Sequence, residues 1–159
     1  MTPQCRSEAC ETRRMASSES LTFHQRSADL PTVIDTATLR VDRWDDPSRG
    51  NITWQTVFSS ELTPTSGMTL GIAELPADGT VSNQRHRHAP AEVYFVLSGE
   101  GVVEIERQQT AIHQGVAVFI PGNAEHALFA TGDQPLRLLY GFATDTFNDV
   151  EYVYSPPGI

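Results

Sequence analysis

Three of the five histidines fall in two short segments: His86 and His88 in HRHAPAE, and His126 at the end of PGNAEH. Residues two apart on a strand point to one face, so His86 and His88 can both aim inward. After a break at Ala89, Pro90 and Ala91, Glu92 can open the next strand and face the same interior. His126 follows a strand ending at Pro121 and can complete the set from across a barrel. Three imidazoles and one carboxylate suit a divalent first-row metal with positions left for water or substrate. Iron(II), manganese(II), zinc(II) and nickel(II) all meet that description, and the ligand types do not choose among them. Taken alone, a His-x-His pair also has a plainer reading as exposed loop.

Such a cluster needs strands to aim it, and the chain is patterned for them. From about residue 51 onward, short β-branched and aromatic runs alternate with Gly, Pro, Asn and Asp about every ten residues, the spacing of an antiparallel sandwich or barrel. The runs are 52–60, 68–75, 81–86, 92–97, 102–107, 109–113, 116–120, 126–130, 136–143 and 150–154. SGEG (98–101) between two of them reads as a hairpin turn. Residues 26–50 are expected to form an arm or short helix, interrupted by Pro31 and without visible chemistry. Residues 1–25 have the polar composition of a disordered tail, and Met15 is a candidate alternative start. The expected organisation is one all-β domain over residues 51–159.

Composition narrows the function. With 11 basic and 20 acidic residues the formal net charge is −9, so nucleic acids and anionic membranes are poor partners. Every basic residue is arginine, which excludes Schiff-base lysine, a P-loop lysine and lysine-anchored pyridoxal phosphate. The two cysteines, Cys5 and Cys10, precede every segment able to pack, so a disulfide framework is excluded. No apolar run approaches the roughly 20 residues of a membrane helix, and residues 1–15 lack a signal peptide's apolar stretch. A soluble, cytoplasmic protein is expected. His113 and His24 have no partner at metal spacing, while Arg85 and Arg87, flanking His86, are expected to point outward as solvated charge.

From about Gly71 to Ala143 the sequence resembles the cupin superfamily. Gly79, His86, His88, Glu92 and Gly99 resemble its first motif, and Gly115, Pro121 and His126 its second. One extra residue lies between Gly79 and His86, Asn123 stands where a glycine is expected, and Ala130 replaces the usual asparagine. The resemblance implies a cupin barrel (a double-stranded β-helix, or jelly roll) and a homodimer. Because the fold hosts many reactions, the choice rests on residues other than the ligands. Tyr94, two residues beyond Glu92, would face the same cavity one step deeper. A phenol starts near pKa 10, and a neighbouring divalent cation favours its phenolate, a usable base. The alternative for Tyr94 is a core aromatic with a satisfied hydroxyl.

The segments HAPAEVYFVLSGEG (88–101), PGNAEHAL (121–128) and FATDTFNDVEY (142–152) resemble those of the small cupin-type dimethylsulfoniopropionate (DMSP) lyases. That resemblance implies metal ligation by His86, His88, Glu92 and His126, a base at Tyr94 and a pocket tyrosine at Tyr152. The implied reaction is β-elimination to acrylate and dimethyl sulfide, with the metal as Lewis acid. Tyr152, Tyr140 or Trp54 could hold the sulfonium by a cation–π contact worth about 0.5–2 kcal/mol, with core packing the alternative for Trp54 and Tyr140. Two other readings stay open: an iron(II) dioxygenase acting on a small organic substrate, and a cupin that binds a metal or small molecule without turnover. Oxygen consumption separates the first from elimination.

Overall fold

The structure is a computed structural model and describes residues 32–77 and 83–156. The expected tail, the start of the arm, His24, both cysteines and Gly79 lie outside the described residues.

The strands are β1 (Asp42–Arg43), β2 (Thr53–Phe58), β3 (Thr69–Leu75), β4 (Asn83–Arg87), β5 (Glu92–Ser98) and β6 (Glu100–Ile105). They continue with β7 (Gln108–His113), β8 (Ala117–Ile120), β9 (His126–Ala130), β10 (Leu136–Phe142) and β11 (Val153–Tyr154). Two antiparallel sheets form, one ordered β1-β2-β3-β10-β5-β8 and the other β11-β4-β9-β6-β7. This is the expected all-β jelly roll.

Alternation decides what faces the interior. Leu136, Leu138, Tyr140 and Phe142 of β10 are buried, and across the sheet Tyr140 pairs with Tyr94 on one side and Gly71 on the other. The next row sets Phe142 beside Glu92 and Glu92 beside Ile120. In the facing sheet His86 pairs with His126. Chemistry-bearing residues of both sheets therefore occupy one end of the barrel, above a core of Leu75, Val96, Ile112, Leu128 and Leu138.

SGEG is not a hairpin. β5 lies in the six-stranded sheet and β6 in the five-stranded one, so the link at Gly99 carries the chain across the sandwich. Gly99, with φ +83°, sits against Pro135, whose carbonyl oxygen would be 2.4 Å from an added Cβ. The hairpin follows β6 instead, where Ile105 pairs with Gln108 and Glu106 and Arg107 take φ 49° and 66°. That is the positive-φ geometry of a two-residue hairpin loop, here without the Asn or Gly that usually signals one.

The 26–50 segment, as far as it is described, is extended apart from 3-10 turns at Thr36–Thr38 and Pro47–Arg49, and it adds β1 to the sheet. Gln55 of β2 holds it by donating to the carbonyls of Thr36 and Leu39 at 2.9 and 3.0 Å.

Candidate metal centre and adjoining hollow

His86 and His88 lie on β4 and just beyond it, His126 opens β9, and all three are buried. Each Nδ1 meets a backbone carbonyl: Gln84 at 2.7 Å, Pro90 at 2.8 Å and Ala124 at 2.9 Å. A carbonyl only accepts, so each Nδ1 carries a proton and each ring turns its Nε2 toward the centre. The three ligand atoms lie within 4.8 Å of one another. Asn123 helps set this spacing. Its φ of 65° is the left-handed conformation that the motif's glycine would supply and that asparagine tolerates, and its N–H donates to the His88 carbonyl at 2.7 Å.

Glu92 projects from β5 into the same space. Its Oε2 lies 3.2 Å from His88 Nε2 and 3.3 Å from His126 Nε2. Burial pushes its carboxyl up, but its close contacts with the His126 and His88 rings outweigh this and hold it below the ordinary value. Burial pulls His86 down to about 3, with the charge of His126 adding to the effect. For His88 burial also acts downward, yet contact with Glu92 prevails and raises it. His126 Nε2 is buried without a hydrogen-bond partner. A carboxylate and inward-facing imidazole nitrogens, one of them orphaned, form a donor set that fits a divalent transition metal.

Tyr94, 4% exposed, donates its hydroxyl to the same Glu92 oxygen at 2.9 Å. Burial, and then the charge of Glu92, push this phenol well above its ordinary value, so in the chain as it stands Tyr94 is a neutral donor. Tyr94, His86 and Glu92 open onto a common hollow. Trp54, Tyr140 and Tyr152 line the same hollow. The Tyr152 ring lies 4.9 Å from His86, and burial drives its hydroxyl well above the ordinary value. Tyr140 is raised to about 12, mainly by burial.

The sequence reading missed two aromatic lining residues. Trp44 comes from the arm that was assigned no chemistry, and it packs 4.7 Å from Trp54. Phe147, on the 3-10 turn Phe147–Asp149, stacks on Trp54 at 5.5 Å. Trp44 alternates in burial with Arg43, a weak strand signal, while Phe147 sits inside FATDTFNDVEY, a segment already singled out. Arg87 is exposed as expected. Arg85 is not solvated charge: its Nε donates to the buried Glu104 at 2.8 Å. His113 is exposed.

A family model of the cupin domain matches residues 72–142. The chain is also 37% identical, over 125 residues, to the dimethylsulfoniopropionate lyase DddW of Ruegeria pomeroyi, covering 79% of this chain and 80% of the relative. The chain belongs to the cupins. Among solved structures, this cupin superposes on the polyketide cyclase RemF of Streptomyces resistomycificus with a TM-score of 0.67 at 15% identity, covering 81% and 88% of the two chains. A cupin-2 domain protein of Rhodospirillum rubrum gives 0.64 at 20% identity, with coverage of 80% and 82%. These two likenesses concern the fold.

Proposed function

We propose that this cupin is a metal-dependent lyase that cleaves DMSP, or a similar small β-substituted carboxylate, by β-elimination. The observation that carries the reading is the Tyr94 hydroxyl, placed against Glu92 beside the histidine cluster in a hollow walled by aromatic rings. Identity of 37% to a DMSP lyase over most of both chains supports the substrate.

His86, His88, Glu92 and His126 would hold the metal, which when bound supplies Lewis-acid stabilisation for a substrate carboxylate and for anionic oxygens around it. Tyr94 is the base. Its phenolate would be favoured by a divalent metal held beside it, and the Tyr94 oxygen then takes the substrate's α-proton. The electrons of that C–H bond form the carbon–carbon double bond as the Cβ–S bond breaks. Dimethyl sulfide leaves with the sulfur pair, and acrylate remains. Trp54, Tyr140 and Tyr152, joined by Trp44 and Phe147, face the sulfonium and exclude water from it. In the same reading the protein acts as a homodimer on a small-molecule substrate; no helix among the described residues is long and apolar enough to cross a membrane.

The test is an anaerobic assay of metal-loaded protein with DMSP, following acrylate. Acrylate from the wild type, and none from a Tyr94→Phe variant of equal metal content, supports the assignment. Turnover that needs oxygen, or no acrylate at all, overturns it.

A further inference from the structure

The strand that carries His86 is irregular where it leads into that residue. β4 pairs with β9 at Asn83 and at His86, with the register broken between them, and on its other side meets only the two-residue β11. Gln84 and Arg85, the two residues leading into His86, therefore lack ladder partners on β9. Irregularities of this kind bend a strand and re-aim its side chains, so something else must fix the angle at which His86 enters the site.

Arg85 is placed to do so from the far face of the sheet. Its guanidinium reaches past β9 to Glu104 on β6, where Nε donates at 2.8 Å and a second nitrogen makes another close contact with the same oxygen. The same Nε lies 3.6 Å from Glu125, the residue immediately before His126. Glu104 is anchored in turn by Gln109, which donates to its other oxygen at 2.9 Å. The Arg85 carbonyl accepts from the Ser155 N–H at 3.0 Å, and the Ser155 hydroxyl bonds Glu125. One guanidinium thus ties the segment before His86 to the residue before His126.

We propose that Arg85 is a positioning residue for the metal centre, holding the His86 and His126 rings at the separation a metal requires across the break in the β4–β9 register. This rests on the reading of the histidine cluster as a metal site, and not on which substrate is cleaved.

The test is zinc affinity of the purified full chain, measured by competition with a chromophoric chelator, together with the visible absorption spectrum of the cobalt(II)-loaded protein. Arg85→Ala is expected to weaken zinc binding about 10- to 100-fold and to alter the cobalt bands, the size of effect seen when groups that orient metal ligands are removed. Arg85→Lys, which keeps the charge but loses the planar fork, is expected to recover only part of the affinity. Arg137→Ala breaks an exposed pair with Glu74 and should leave both readouts at wild-type values. If Arg85→Ala does not fold, Glu104→Gln is measured in its place, with the same direction expected. A wild-type chain that binds no zinc, or an Arg85→Ala or Glu104→Gln variant within threefold of wild-type affinity with an unchanged cobalt spectrum, overturns the proposal. Zinc bound as expected, with no acrylate from DMSP, would sink the lyase assignment and leave this one standing.

Discussion

The Tyr94 hydroxyl and the Glu92 carboxylate share one hydrogen bond of 2.9 Å, and the same Glu92 oxygen touches two of the three clustered imidazoles. The proposed base and a proposed metal-holding group are thereby placed in direct contact. Replacing Tyr94 by Phe removes the proton acceptor while keeping the ring that packs in the core. The turnover number should fall about 10²- to 10⁴-fold, the range for losing a positioned general base. Metal content by elemental analysis should stay at the wild-type level. A Phe variant with most of its rate would remove Tyr94 from the chemistry.

His126 tests the metal assignment by itself. Its Nε2 is buried without a hydrogen-bond partner, which suits the ligand role proposed for it. His126→Ala should copurify with little metal and regain none in a stoichiometric titration. A variant that still binds one ion per chain at wild-type affinity contradicts the shared site.

The aromatic wall should govern substrate binding more than turnover. Arg49 already rests over Trp44 at 5.3 Å, so one ring of this wall accepts a cation. Trp54→Leu and Trp44→Leu keep an apolar filling but remove the ring. KM for DMSP should rise about 2- to 30-fold, the equivalent of roughly 0.5–2 kcal/mol, with the turnover number nearly unchanged. An unchanged KM in both would mean that the rings serve packing alone.

How much of this was visible in the chain depends on the range of the signal. His86, His88, Glu92 and Tyr94 were legible because period-two alternation is local, and the structure gathers them at one end of the barrel. The Ser98–Gly101 link was misread because glycine marks a positive φ without saying whether the chain turns back or crosses to the other sheet. The true hairpin, at Glu106 and Arg107, carries no turn residue at all. Trp44 and Arg85 were missed for a third reason. Their roles arise from contacts with Trp54 and Glu104, and those pairings depend on how strands meet in space.

Glu104 gives the protein a defined acid limb. A hydrogen bond from Gln109, followed by those from Arg85, outweighs burial and holds its carboxyl below the ordinary value of 4.5. A lowered value in the folded state means stabilisation fully present above the unfolded-state value and lost as pH falls through the folded one. The melting temperature of wild type should therefore exceed that of Glu104→Gln by a constant amount near neutrality, with the gap closing below about pH 4.5. Scanning calorimetry from pH 7 to 3 reads this directly. A gap that stays constant to pH 3 would show that the pair contributes through packing and not through charge.

Gly71 sets the shape of the hollow through Tyr140. The two face each other across β3 and β10, and a Cβ on Gly71 would lie 2.4 Å from the Tyr140 Cζ and hydroxyl oxygen and 2.6 Å from the Gln55 carbonyl oxygen. Both approaches are too close for a real Cβ, so the β2–β3 ladder at Gln55 and the tyrosine ring must both shift, and the ring borders the hollow. Gly71→Ala should cost about 1–3 kcal/mol, the usual range for overpacking, seen as a melting temperature lower by roughly 3–10 °C. The displaced ring should also raise KM while metal content holds, since Tyr140 is not among the clustered ligands. Adding Tyr140→Leu should return part of the lost stability, because it removes the nearer of the two clashes. If Gly71→Ala melts with wild type and binds substrate normally, Tyr140 is not held against the bare strand.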